Sequence, residues 1–125
     1  MKCLIVDDSA TMRRIVANAL HGIGYTNLVE AVDGQDALAK CDGTIELVIT
    51  DWNMPVMGGL ELVRRLRANP QTAKVPILMV TTRGTKEDIL QAVEAGVNSY
   101  ILKPFTPQVL KEKIDQVVSL ASGSA

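Results

Sequence analysis

The chain has 125 residues, a formal charge of −1, 47% hydrophobic and 22% charged residues. It is long enough for one domain with a real core and too short for two, and its apolar runs fall far short of a membrane span. The near-neutral balance and the scattered arginines (Arg13-Arg14, Arg64-Arg65, Arg67) argue against direct nucleic-acid binding.

The chain opens on Cys3–Val6, a short apolar run that meets Asp7 and Asp8 at once. That leaves no room for a secretory signal, so a cytoplasmic protein is expected. Met12, Ile15, Val16, Ala19, Leu20 and Ile23 repeat at helical spacing until Gly22 and Gly24 stop them. A second run, Leu28–Ala31, precedes a short helical pattern through Ala37, Leu38 and Cys41. Leu47–Thr50 is the third run, followed after Gly58-Gly59 by Leu62, Val63 and Leu66, which Asn69-Pro70 ends. Val75–Val80 is the fourth, and Thr85 with Asp88 three residues later resembles a capping box opening a helix that Gly96 closes. Tyr100–Leu102 is the fifth, before a last helix from Pro107 through Leu110, Ile114 and Val117. The domain is expected over 1–121, with 122–125 as a frayed tail.

Short continuous apolar runs are the mark of strands buried on both faces, and parallel neighbours need crossover helices. Five such alternations predict an α/β fold, a five-stranded parallel sheet in a doubly wound (βα)5 sandwich of flavodoxin-like order 2-1-3-4-5. Functional groups gather beyond the carboxyl ends of such strands. Asp7 and Asp8 end the first strand, Asp51 the third, Thr81 the fourth and Lys103 the fifth. With strands one and three about 5 Å apart, three carboxylates converge, and an all-oxygen cluster of that kind suits Mg²⁺. One carboxylate can then attack phosphorus while Lys103 and the Thr81 hydroxyl hold phosphoryl oxygens.

Leu4–Ser9, Val48–Pro55 with Gly58-Gly59, Met79–Thr82 and Tyr100–Phe105 together resemble the receiver domains of two-component response regulators, over essentially the whole chain. Trp52-Asn53-Met54-Pro55 and Lys103-Pro104-Phe105 turn the likeness towards the single-domain chemotaxis regulators. The resemblance implies a phosphorylated signalling switch and not a turnover enzyme. It makes Asp51 the phosphoacceptor, Asp8, Asp51 and the Asn53 backbone carbonyl direct Mg²⁺ ligands, and Asp7 a ligand through water. Lys103 pairs with the phosphoryl group, Thr81 swings towards it, and Tyr100 follows inward. It also implies a cis Lys103-Pro104 bond, a histidine kinase as donor, a flagellar motor switch protein as target, and a monomer. A phosphate sink is the alternative role.

Arg83, two residues beyond Thr81, is basic where the enteric chemotaxis protein carries an acid, which puts the enteric type of phosphatase in doubt. Trp52 reads either as an exposed partner surface or as pocket wall. Met54, Pro55 and Met57 read as shaping the loop over the pocket, and Cys3 and Cys41 as buried thiols. An aspartyl-phosphate hydrolase of the haloacid dehalogenase kind would want an acid at position 53, where this chain has Asn53.

Overall fold

The computed structural model describes residues 2–123, with side chains through residue 119. Five strands, β1 (Lys2–Val6), β2 (Asn27–Ala31), β3 (Leu47–Thr50), β4 (Ile77–Thr81) and β5 (Ser99–Leu102), alternate with five helices. These are α1 (Ala10–Gly22), α2 (Gly34–Lys40), α3 (Gly59–Ala68), α4 (Lys86–Ala95) and α5 (Pro107–Gly123). The strands form one parallel sheet in the order β2-β1-β3-β4-β5, as the apolar runs predict.

The central strands β3 and β4 are buried along their whole length, because helices cover both faces. Alternation divides their side chains between two cores. Leu4, Val6, Val48, Ile77 and Met79 pack with Ala37, Leu62, Val63, Leu66 and Ala92 of α2, α3 and α4. Cys3, Ile5, Leu47, Ile49, Leu78, Val80 and Ile101 pack with Val16 and Leu20 of α1 and Leu110, Ile114 and Val117 of α5.

Local chemistry starts and stops the helices. The hydroxyls of Ser9, Thr85 and Thr106 accept backbone N–H groups of Met12, Asp88 and Val109, and the Asp33 carboxylate accepts that of Asp36 at 2.7 Å. At α4 only half of the expected capping box forms, since the Asp88 carboxylate pairs with Arg83 instead. Gly96 ends that helix at φ 119°, the left-handed region that favours glycine.

Several boundaries differ from expectation: β1, β2 and β5 each begin one residue before their apolar runs, and β4 extends to Thr81. β4 begins at Ile77 and not at Val75, because Pro76 has no N–H to give the ladder; the Ile77 N–H is taken by Asn98 Oδ1 at 2.8 Å. Cys41 lies just past α2, where its N–H still bonds the Ala37 carbonyl. The bounds of α5 take in 122 and 123 of the expected tail, and 124–125 lie outside the described residues. Among the described residues no helix is long and apolar enough to cross a membrane.

Candidate functional site

The register of β1 with β3 pairs Val6 with Thr50, so the next residues, Asp7 and Asp51, leave the sheet side by side. The Asp51 N–H still donates to the Val6 carbonyl (3.0 Å) and the Asp7 N–H to that of Ala31 (3.1 Å), which fixes both backbones. One carboxylate oxygen from each of Asp7, Asp8 and Asp51 lies within 4.8 Å of the others. Lys103 leaves β5 at the same edge, its N–H held by the Thr81 carbonyl, and its Nζ stands 3.2 Å from both Asp7 Oδ2 and Asp51 Oδ2.

The Asp7 and Asp51 side chains are only 6% and 11% exposed, while Asp8 is open to solvent. Burial pushes the Asp7 carboxyl above its usual range, against the Ser9 N–H on Oδ1 (2.9 Å) and the Lys103 ammonium. Burial alone would lower Lys103, but the charges of Asp51 and Asp7 and its bonds to both outweigh that and raise its pKa. Three carboxylates against one ammonium leave excess negative charge in a shielded notch. An oxygen-only cluster with one open member fits a hydrated hard divalent cation such as Mg²⁺.

The remaining predicted residues lie at the end of β4, in the β3–α3 loop and on β5, linked through Arg83. Thr81 is fully buried at the end of β4, and its Oγ1 accepts the Arg83 N–H (3.3 Å). Asn53 lies in the β3–α3 loop, where its Oδ1 accepts from Arg83 Nε (3.1 Å). Tyr100, half-buried on β5, donates its hydroxyl to the Arg83 carbonyl. Trp52 is 8% exposed and part of the α2–α4 core, with the Arg83 guanidinium 4.8 Å above its ring. The exposed-surface reading of Trp52 is therefore corrected in favour of pocket wall: the loop folds the indole inward and a cation–π contact covers it. Arg83 joins Asn53, Trp52, Asp88 and Tyr100 at one rim.

Met54 and Met57 pack onto the α2–α4 core, and the Met57 carbonyl accepts the Gly34 N–H at 2.9 Å. The Lys103-Pro104 bond is cis. Three features escaped the sequence. Val56, 77% exposed, sits at φ 67° in the β3–α3 loop. Gly59 brings α3 against Asp51: a Cβ there would lie 2.0 Å from the Asp51 carbonyl oxygen. Arg13 Nη1 donates to the Asp7 carbonyl at 2.7 Å. The Gly58-Gly59 pair was a readable hint of close backbone approach; the other two had no sequence signal.

Acids at the ends of β1 and β3, a lysine at the end of β5 and a hydroxyl at the end of β4 of an order 2-1-3-4-5 sheet define a receiver domain. The chain belongs to the response regulator receiver domain family, which matches residues 3–115. Among its relatives, chemotaxis protein CheY1 of Helicobacter pylori is 52% identical over 120 residues, 94% of this chain and 97% of its own length. Chemotaxis protein CheY of Pseudomonas aeruginosa is 48% identical over 124 residues, 98% of this chain and all of its own length. The solved structure of chemotaxis response regulator CheY4 of Vibrio cholerae is 37% identical with a TM-score of 0.85, covering 93% of this chain and 97% of that one.

Proposed function

We propose that the chain is a single-domain chemotaxis response regulator that accepts a phosphoryl group on Asp51 from a histidine kinase and thereby switches its affinity for a flagellar motor switch protein. The observation that carries this reading is the convergence of Asp7, Asp8 and Asp51 around Lys103 at one sheet edge. The relatives named chemotaxis proteins, at about half identity over nearly the whole chain, supply the pathway. The protein acts in the cytoplasm as a monomer.

In this reading Asp8, Asp51 and the Asn53 backbone carbonyl would hold Mg²⁺, and Asp7 would join through a water. When bound, the ion supplies positive charge that offsets the carboxylates and the incoming phosphoryl oxygens. An Asp51 carboxylate oxygen forms the new bond to phosphorus as the donor's imidazole nitrogen leaves with the electron pair of the broken P–N bond. Lys103 balances charge on the transferred group, and the Thr81 hydroxyl turns to donate to it. Tyr100, on the neighbouring strand, follows that motion and alters the surface of α4, β5 and α5. Asn53 is a neutral amide that does not titrate near neutral pH and its amide oxygen is engaged by Arg83, which leaves a multiple-turnover hydrolase without its acid–base group.

The test is intact mass after incubation with acetyl phosphate. One phosphoryl group is expected with Mg²⁺ and wild-type protein, and none without Mg²⁺ or in Asp51→Asn. Labelling that survives Asp51→Asn would overturn the assignment. Absence of labelling in the wild type would reduce the chain to a degenerate receiver.

A further inference from the structure

Arg13 is placed against the ordinary preference of its helix. It is the fourth residue of α1, where the helix dipole is positive and disfavours cations, and the first turn contains no acid. Its side chain is nevertheless only 15% exposed and makes two directed contacts. Nη1 donates to the Asp7 backbone carbonyl at 2.7 Å, and Nε pairs with Glu30 of β2 at 2.9 Å.

The Asp7 carbonyl belongs to the peptide plane that joins the two acids after β1. The Asp7 side chain has its own holds, the Ser9 N–H and Lys103. Asp8 is exposed and depends on the orientation of that plane for the direction of its carboxylate. A guanidinium this close to three acids would also repel an arriving cation, unless its own charge were offset. Glu30 offsets it, and does so from the side of β2, away from the β1–β3 notch.

We propose that Arg13 is a positioning residue for the cation site: it fixes the Asp7–Asp8 peptide plane so that the Asp8 carboxylate meets the ion, and Glu30 neutralises it so that it can do so without repelling a divalent charge. The inference rests on the cation reading given above. It assigns Arg13 no contact with the ion or the phosphoryl group.

The test is Mg²⁺ affinity of the unphosphorylated protein, read by titration calorimetry and by the fluorescence of Trp52, the single tryptophan. Arg13→Met with Glu30→Gln removes the pair without changing net charge. About a tenfold loss of affinity, the low end for removing a group that supports a metal ligand, is expected from lost position alone. Glu30→Gln by itself keeps the bond to Asp7 but exposes the charge of Arg13. Its smaller loss should fade as salt is raised, while that of the double variant persists.

A double variant that binds Mg²⁺ as the wild type does overturns the proposal. Should that variant not fold, Glu30→Gln decides: no loss at low salt refutes the neutralising role. Wild type and Asp8→Asn are measured alongside. If the wild type binds no Mg²⁺, the cation reading itself fails; if the wild type binds, Asp8→Asn does not, and the double variant is unimpaired, only the role of Arg13 fails.

Discussion

Gly59→Ala is the sharpest perturbation the structure offers. The new methyl would sit 2.0 Å from the Asp51 carbonyl oxygen, 2.9 Å from its carbon and 3.0 Å from Trp52 Cα. Reaching even a 3.0 Å contact demands a shift of 3.0 − 2.0 = 1.0 Å between the start of α3 and the phosphoacceptor's own backbone. Overpacking of this kind costs about 1–3 kcal/mol. The Gly59 N–H bond to the Trp52 carbonyl, 2.8 Å, is strained with it and adds about 1 kcal/mol. Against this stands about 0.5–1 kcal/mol gained by replacing glycine in a helix.

The net expectation is a loss of about 1–3.5 kcal/mol, or on the order of 10 °C in Tm towards the upper end for a domain of this size. A misplacement of about 1 Å at the attacking group also predicts roughly hundredfold slower labelling by acetyl phosphate. Gly22→Ala is the control, since nothing lies within 4 Å of its Cβ, and it should be neutral or slightly stabilising. Urea unfolding and labelling rates on the three proteins decide the matter. A Gly59→Ala protein as stable as the wild type and labelled as fast refutes the reasoning.

Arg67 donates to the carbonyls of Gly96, Val75 and Ala73 and to Asn98 Oδ1. Arg67→Met strands these acceptors and should cost about 3–4 kcal/mol by urea unfolding; a loss under about 1 kcal/mol would contradict it. Val56→Asn, by relieving a β-branched residue at φ 67°, should gain about 1 kcal/mol, and an unchanged urea midpoint would speak against strain there. Burial pushes the Cys3 thiol from 9.0 to about 11, so its stabilising contribution is complete below pH 9 and is lost as pH rises through 11. The loss is about 3 kcal/mol at most, and Cys3→Val should flatten the fall in urea midpoint between pH 8 and 11. An equal fall in both proteins would exclude the thiol as its cause.

Much of this architecture is legible in the residue types. Strands such as Leu47–Thr50 and Ile77–Thr81 are covered on both faces, so burial writes itself as an unbroken apolar run, and acids ending two such runs stand out at once. The three-carboxylate cluster and the placement of Lys103 follow from strand order alone. What stays hidden is of two kinds. Arg13 with Glu30, and Arg67 with Gly96 and Asn98, are pairings between distant segments, and one arginine in a helix looks like any other. Val56 and Gly59 owe their character to backbone path, since a loop crossing over Trp52 decides which residue takes a positive φ and which has no room for a methyl. The burial of Trp52 belongs to the same class: the sequence left it open between an exposed partner surface and pocket wall, and Arg83, distant in sequence, roofs the ring.

The two cores are not equivalent in what they can report. Among the described residues, Trp52, Met54, Met57 and Tyr100 join the layer built by α2, α3 and α4, whereas Met12, just past β1, and Phe105, just past β5, join the α1–α5 layer. On the proposed switch, α1 therefore acts as ballast and α4 as rudder. A spectroscopic label on the outer face of α1 should register little besides unfolding, while the same label on α4 should follow each change at Asp51. A binder raised to hold the protein still should grip the first surface, and one meant to sense its state should grip the second.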